Sequence, residues 1–247
     1  MNSSGTVHST VAVEPTAAFE DHPGLQGRQA EARDLADVLR RLIRLSVSTA
    51  PSARETAALT AQLTSVADRM ESHVPQLPLP RFIAPADDGP PRDPPLGSSM
   101  PFDLIVGAFN PLALPVRLEF DPPKALGYAT FDVGYEGAPG CVHGAALAAT
   151  FDIILTAANA IAGATGPTVR LQLRYRRPTL LSEEAVFEAW ATEVTERRIF
   201  SQGRIVQGGE VTVEADGEFA VFNQGGVDRM AAARRKAFDA TAIGTNS

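Results

Sequence analysis

The first third of the chain contains two stretches with apolar residues at helical spacing. Over residues 29–45 these residues recur at intervals of three and four, which predicts an amphipathic helix. After a break at Pro51, residues 53–71 repeat the pattern, with Ser52 as the expected N-cap and Glu55 completing a capping box. The two helices form a predicted hairpin extension over residues 27–72 that packs on the rest of the chain or on a partner. The apolar positions are Leu35, Val38, Leu39, Leu42, Ile43 and Leu45 in the first helix, and Leu59, Leu63, Val66 and Met70 in the second.

The flanking segments lack a periodic apolar pattern. Residues 1–26 are polar with scattered Gly and Pro, which predicts a disordered tail. Residues 73–100 include PQLPLP and DDGPPRDPP, too rich in proline for a helix or a sheet interior, and are predicted to be a linker. A folded domain is therefore expected over residues 101–226, followed by a C-terminal tail over residues 227–247.

Within that domain the pattern alternates as it does in strands, except for one long apolar helix after the second strand. The alternation is clearest in TVRLQLRYRR, where one face carries Val169, Leu171, Leu173 and Tyr175 and the other carries Thr168, Arg170, Gln172, Arg174 and Arg176. An antiparallel sheet curled around the helix would bury the helix and one face of the sheet, giving an α+β fold. The predicted strands cover residues 115–120, 125–133, 168–177, 185–195, 199–206 and 211–222, with a QGGE turn at residues 207–210 between the last two, and the helix covers residues 143–162.

The apolar run from residue 145 to residue 164, which makes up most of the predicted helix, contains a single ionisable residue, Asp152, near its middle. A carboxylate in apolar surroundings costs several kcal/mol unless it finds partners or takes up a proton. Asp152 is therefore the leading candidate for a functional residue, and a buried structural carboxylate bonded to amides or to an arginine is the alternative. The run is long enough to span a bilayer, but a core helix explains its Ala, Gly and Thr content better.

Composition narrows the classes of function. The net charge is −7 with no basic stripe, which argues against a nucleic-acid partner. The single cysteine, Cys141, rules out an internal disulfide and fits a reducing compartment. The first residues have neither a basic nor an apolar signal region, so a cytoplasmic location is expected.

The segment YEGAPGCVHG, the aspartate nine residues after its histidine, and the strand TVRLQLRYRRP together resemble the hotdog-fold acyl-CoA thioesterases. The resemblance is strongest to the PaaI-like branch, which includes thioesterase superfamily member 4. It covers about residues 101–223 and does not reach the N-terminal extension. The family signature is a His-Gly-Gly turn, an acid on the central helix, and a Ser or Thr ten residues before a Pro. The matching residues here are His143, Gly144, Ala145, Asp152, Thr168 and Pro178.

The resemblance implies hydrolysis of an acyl-CoA thioester in a homo-oligomer, without a metal or an organic cofactor. It makes Asp152 a general base or a nucleophile, and the backbone N–H of Gly144 an oxyanion donor from the opposite subunit. Thr168 would hydrogen-bond the water or Asp152, and His143 would hold the turn or the carbonyl region. On one face of the next strand, Arg170, Arg174 and Arg176, with Arg177, are expected to bind the coenzyme A phosphates, and the alternative is a solvated face balanced by Glu183, Glu184 and Glu188.

Two positions depart from the family pattern. The second glycine of the turn is Ala145, and Gly137 stands where some relatives carry an Asn or Gln near the nucleophilic water. These departures leave two other hypotheses open: a hotdog module that binds acyl-CoA or a protein without turnover, and an enoyl-CoA hydratase-type enzyme. The hydratases usually pair an Asp and a His about five residues apart, whereas His143 and Asp152 are nine apart. A nucleophilic Cys141 is disfavoured, because a small buried thiol is common.

Overall fold

The computed structural model describes residues 22, 24–76, 79 and 100–222. Their core is a six-stranded antiparallel sheet wrapped around one long helix, as predicted, and an N-terminal helical region precedes it. Residues 223–247 and most of the predicted tail and linker lie outside the described residues. The helices are α1 (Gln29–Ser48), α2 (Ala53–Glu71) and α3 (Gly144–Ile161). The strands are β1 (Val116–Asp121), β2 (Lys124–Thr130), β3 (Thr168–Tyr175), β4 (Glu184–Val194), β5 (Arg198–Gln207) and β6 (Glu210–Ala220).

The strand order is β1-β2-β4-β5-β6-β3, with every neighbouring pair antiparallel. The strand that follows α3 in sequence, β3, therefore crosses the whole sheet to its far edge, where it pairs with β6 on one side only. This crossover leaves the outer edge of β3 without a strand partner within the described chain. A free edge of this kind is a place where a second chain can pair.

Three predicted strands end two or three residues earlier than expected, one of them the sixth, which was predicted to reach residue 222 and ends at Ala220. The second was predicted to reach residue 133, but β2 ends at Thr130, because the Asp132 carboxylate accepts a 2.8 Å hydrogen bond from the N–H of Gly134 and starts a 3-10 turn over Val133–Tyr135. The third was predicted to reach residue 177, but β3 ends at Tyr175. The N–H groups of the next two residues both donate to the carbonyl of Thr212, which breaks the regular ladder.

The β5–β6 hairpin is set by its turn. Gly208 and Gly209 have φ angles of 57° and 82°, and a two-residue turn with positive φ at both positions matches the twist of the flanking strands. Glycine adopts these angles without the strain of a Cβ atom. The predicted QGGE turn at residues 207–210 is therefore the local feature that fixes the register of these two strands.

The core lies between α3 and the concave face of the sheet. Phe151, Ile154 and Leu155 are fully buried there, and the Phe151 ring contacts the Phe187 ring of β4 edge-on, with centroids 5.3 Å apart. Burying a side chain of this size stabilises the fold by about 1.5–3 kcal/mol. By length and composition α3 also resembles a membrane span, but half of it is buried within the protein, which accounts for its apolar sequence.

Helix α1 packs on the domain beside the 3-10 turn. The Arg40 guanidinium donates to three backbone carbonyls of the segment before β1, at 2.8–3.2 Å, and thereby holds α1 against it. His22 and Leu25 are buried against this segment, where the His22 ring contacts Phe102 with centroids 5.3 Å apart. The predicted disordered tail over residues 1–26 was therefore too long at its C-terminal end, because these two side chains belong to a small second core.

Helix α2 begins and ends at the predicted residues. The Ser52 side chain accepts a 3.2 Å hydrogen bond from the N–H of Glu55, as expected for the N-cap. Every residue of α2 is exposed, including the apolar positions Leu59 and Leu63. The predicted hairpin thus has one helix, α1, that packs on the domain, and a second whose apolar stripe is exposed in the described part of the chain.

Candidate active site

Asp152 lies on the side of α3 that the sheet leaves partly uncovered. Its Oδ1 atom accepts a 2.6 Å hydrogen bond from the Thr168 hydroxyl at the start of β3, so the expected contact between these two side chains is present. A short bond from a hydroxyl to a carboxylate is charge-assisted and orients the acceptor. No Arg, Lys or His of the described chain forms an ion pair with Asp152. The alternative of a carboxylate locked against an arginine is therefore not what these residues show.

His143 is the N-cap of α3. Its Nδ1 atom accepts a 3.0 Å hydrogen bond from the N–H of Ala145, and its own backbone N–H donates to the carbonyl of Tyr135 at 2.8 Å. Because Nδ1 acts as an acceptor, the neutral imidazole carries its proton on Nε2. The geometry thus matches the first of the two expected roles, that of holding the turn.

The first residue of α3, Gly144, presents a free backbone N–H, since no acceptor lies within reach in the described chain. Helix N-termini combine such free donors with the positive end of the helix dipole. Beside Gly144 lies a cleft of about 350 Å³, called here the α3 cleft. It is lined by Ala138, Cys141, Val142, Gly144, Leu147, Tyr175, Arg176, Arg177, Pro178 and Thr179.

Tyr175 covers Gly144 and was not singled out from the sequence. Its hydroxyl donates a 3.1 Å hydrogen bond to the Gly144 carbonyl, although 54% of the residue is exposed. The strand alternation had placed Tyr175 on the same face as Leu171 and Leu173, which is the face towards α3. The sequence did not show that β3 ends opposite the N-terminus of α3, where the Tyr175 side chain covers the α3 cleft.

Both departures from the family pattern have a local explanation. A Cβ atom on Gly137 would lie 2.8 Å from the Cα atom of His143, because the turn from Gly137 to Cys141 is closed by a 2.9 Å backbone hydrogen bond. The close approach of the two backbones therefore excludes an Asn or Gln side chain at this position. Ala145 is exposed and contributes its N–H to the His143 cap, so its methyl group does not disturb the helix start.

The arginines of β3 and of the two residues that follow it are balanced by acids from the neighbouring strand β6, and not by the glutamates considered from the sequence. Arg174 and Arg176 both donate to Glu214, and the hydrogen bond from Arg176 holds the pKa of that carboxyl below its usual value. Arg170 lies 3.8 Å from Glu218. Arg177 pairs with Glu210. Of the four, only Arg176 and Arg177 line the α3 cleft.

The Cys141 thiol lies in the α3 cleft and donates weakly to the Pro139 carbonyl at 3.5 Å, without a side-chain base as partner among the described residues. No group of three or more His, Cys, Asp or Glu residues in the described part of the chain is placed to hold a metal ion.

Comparison with known proteins identifies the family. Residues 139–214 match the model of the thioesterase superfamily. A crystal structure of a thioesterase superfamily protein is 31% identical, with a TM-score of 0.66, and the alignment covers 76% of this chain and 94% of that chain. The chain belongs to the thioesterase superfamily. The hotdog fold expected from the resemblance is thereby confirmed, and the fold and the family are those of thioesterase enzymes.

Solved structures of lower identity are also similar to this chain. The Escherichia coli PaaI protein is 14% identical over 44% of this chain and 81% of its own, with a TM-score of 0.42. Thioesterase superfamily member 2 from Mus musculus is 20% identical over 43% of this chain and 81% of its own, with a TM-score of 0.41. A Streptococcus pneumoniae thioesterase solved with coenzyme A is 15% identical over 44% of this chain and 90% of its own, with a TM-score of 0.42. No curated protein matches the sequence.

Proposed function

We propose that this thioesterase hydrolyses acyl-CoA to a free acid and coenzyme A, with Asp152 as general base or nucleophile. The observation that carries the proposal is the 2.6 Å hydrogen bond by which Thr168 holds the one carboxylate of α3 on the helix face that the sheet does not cover. As a base, Asp152 takes a proton from the water that attacks the thioester carbon. As a nucleophile, it forms an acyl-enzyme anhydride that water then opens. In either case coenzyme A leaves as the thiolate.

The oxyanion donor in this proposal is the N–H of Gly144 from a second subunit. Asp152 and Gly144 of one chain are eight residues apart on α3, which separates their backbones by about 12 Å. A nucleophile and an oxyanion donor must each lie about 3 Å from atoms of the same carbonyl, so one chain does not supply both. The site requires two copies of the chain.

The uncovered side of α3 supplies a geometry for such a dimer. The partly or fully exposed residues of α3 are mostly small: Gly144, Ala145, Ala146, Ala148, Ala149, Asp152, Thr156, Ala160 and Ile161. Two α3 helices that pack antiparallel across a two-fold axis beside Ala148 bring residue 152 of one chain opposite residue 144 of the other, because 148 is midway between them. Small residues let two helices approach closely, and the free edge of β3 lies on the same side as Asp152 through its contact with Thr168.

Coenzyme A binding is assigned to the rim of the α3 cleft. Arg176 and Arg177 are exposed there, and guanidinium groups bind phosphates through paired N–H donors. Each already contacts a glutamate of β6, so the phosphates of coenzyme A would exchange with Glu214 and Glu210 as acceptors. Arg170 and Arg174 lie on β3 outside the cleft and provide weaker, longer-range attraction.

The test is thiol release from acyl-CoA substrates of short, medium, long and aromatic acyl groups. Asp152→Asn should lower kcat by about 10²- to 10⁴-fold, the usual contribution of a general base, with the fold and the oligomeric state unchanged. Thr168→Val should lower kcat/KM by about tenfold or more, since a hydrogen bond to a charged group is lost, while Thr168→Ser keeps the hydroxyl and most of the activity. Full activity in Asp152→Ala would refute the proposal.

A further inference from the structure

A second cavity lies between α1 and the segment that leads into β1. It has a volume of about 640 Å³, within the range of small-molecule pockets, and shares no lining residue with the α3 cleft. Its walls include apolar side chains from both elements, among them Ile43, Leu112, Leu114 and Val116. This space, called here the α1 cavity, is not used by the proposed hydrolysis.

The α1 cavity is lined by more cations than anions. Arg33, Arg40 and Arg44 follow one another on the same side of α1 at intervals of seven and four residues, and Arg117 enters from β1. The one acidic lining residue is Asp132. An apolar space with this charge excess favours an anionic ligand that has a substantial apolar body.

Two of these arginines, Arg40 and Arg117, already bond other groups of the chain. Arg40 bonds Asp37 at 2.6 Å and also holds the three carbonyls described above. Arg117 pairs with Glu119 and stacks on the Tyr128 ring, with its guanidinium carbon 4.4 Å from the centroid. Their charges are therefore compensated or fixed, and neither is available as the main contact of a ligand.

The other two, Arg33 and Arg44, differ in whether a carboxylate neutralises their charge. Arg44 lies 3.9 Å from Asp132, the limit of an ion pair, so this end of the α1 cavity is close to neutral. The Arg33 guanidinium carbon lies 5.7 Å from the centroid of the Phe109 ring, and no carboxylate of the described chain pairs with Arg33. With the Phe109 ring above its plane, the Arg33 guanidinium keeps its N–H edge free to bind an acceptor that lies in that plane. The net charge left for a ligand is about +1, at the Arg33 end.

We propose that the α1 cavity binds a monocarboxylate with an apolar chain, such as a medium-chain fatty acid. The carboxylate pairs with Arg33, and the apolar chain runs along α1 towards Ile43. These two residues are ten positions apart, a span of about 15 Å along the helix. A carboxylate matches the fork of a guanidinium, and a single negative charge matches the one uncompensated cation. The proposal does not depend on the proposed hydrolysis.

The test is isothermal titration calorimetry of the full chain with dodecanoate, at concentrations below the critical micelle concentration of dodecanoate. Arg33→Gln should weaken binding by about 10- to 100-fold, since it removes a charge-assisted hydrogen bond. Arg54→Gln, the same change on the exposed helix α2, is the matched control and should bind like the unaltered chain. Ile43→Glu, at an exposed position on α1, should weaken binding as well by placing a negative charge on the apolar wall. Dodecanol, which lacks the carboxylate, should bind more weakly and with no response to Arg33→Gln.

Several outcomes would overturn the proposal: no binding of dodecanoate to the unaltered chain, equal affinity in Arg33→Gln, or displacement of dodecanoate by coenzyme A. The last result would place the ligand at the substrate site. Asp152→Asn separates the two proposals, since it should abolish thiol release and leave dodecanoate affinity unchanged. Loss of dodecanoate binding in Asp152→Asn would count against a separate site and leave the hydrolase proposal untouched.

Discussion

Substitution of Gly144 by proline tests the proposed oxyanion donor without breaking a helical hydrogen bond. Gly144 is the first residue of α3, where the N–H has no intrahelical partner and proline is well tolerated. The preceding residue, His143, has φ −62° and ψ 131°, the extended conformation that a residue before proline prefers. We expect Gly144→Pro to fold normally and to lose the N–H donor.

The expected loss of activity follows from the absence of the Gly144 backbone N–H. Removal of one oxyanion-hole donor lowers kcat by about 10²- to 10³-fold, or about 2.7–4 kcal/mol of transition-state stabilisation. A Cβ atom at residue 144 would also lie 2.9 Å from the Tyr175 hydroxyl, which can shift because it ends a flexible side chain. Gly144→Ala is therefore the matched control, since it adds the same carbon and keeps the N–H. Thiol release is the assay, and equal losses in the two variants would refute the assignment.

Mixing two inactive variants tests whether the site is shared between subunits. In a heterodimer of Asp152→Asn with Gly144→Pro, one site carries both lesions and the other carries neither. Random exchange makes half of the dimers mixed, so about a quarter of the unaltered activity should return. If Asp152 and Gly144 act within one chain, or in separate sites, mixing restores nothing. Sedimentation of each variant before mixing shows whether both still form the oligomer.

Three further predictions concern the cleft and the stability of the sheet. Tyr175→Phe, which loses the bond to the Gly144 carbonyl, should lower kcat/KM by about two- to tenfold in the thiol-release assay and leave the melting temperature unchanged; an unaltered rate would show that the hydroxyl has no role. Gly127→Ala would place a Cβ atom 2.5 Å from the Ile154 side chain, so urea unfolding should show a loss of about 1–3 kcal/mol, and an unchanged midpoint would contradict this packing. Burial raises the pKa of Glu188, but hydrogen bonds from Lys124 and Arg204 outweigh it and hold the pKa below its usual value. A depressed carboxyl pKa contributes stability above the unfolded value of about 4.3 that is lost as the pH falls through the folded value, so Glu188→Gln should destabilise the protein at pH 7 and not at pH 3.

Elements whose cause is local could be predicted from the sequence. The cap at Ser52, the QGGE turn and the lone acid of α3 each depend on a few neighbouring residues, and the structure has them at the predicted positions. The exceptions are also local in origin. The side chain of Asp132 ends β2 early by capping a 3-10 turn, a competition between strand and turn that alternation of apolar residues does not reveal.

The assembly of the candidate site depends on where distant strands lie. Because β3 lies at the far edge of the sheet, Thr168 contacts Asp152 and Tyr175 contacts Gly144. The residues of these two pairs are 16 and 31 positions apart in sequence. The resemblance to a known family anticipated the first contact but not the second. The acids expected to balance the arginines of β3 and of the two residues after it were chosen as sequence neighbours. Their actual partners come from β6, which pairs with β3 in the sheet but is distant from it in sequence.

By itself, the sequence determined the helices, the strands, the α+β class and the acid at the centre of α3. These follow from apolar periodicity, capping and turn residues, all of which act over a few positions of the chain. Only the tertiary structure decided that β3 occupies an edge, that Tyr175 roofs the α3 cleft, and that α1 encloses a cavity with Arg33 at one end. Each depends on contacts between residues far apart in sequence, and side-chain pattern along the chain does not specify which distant surfaces meet.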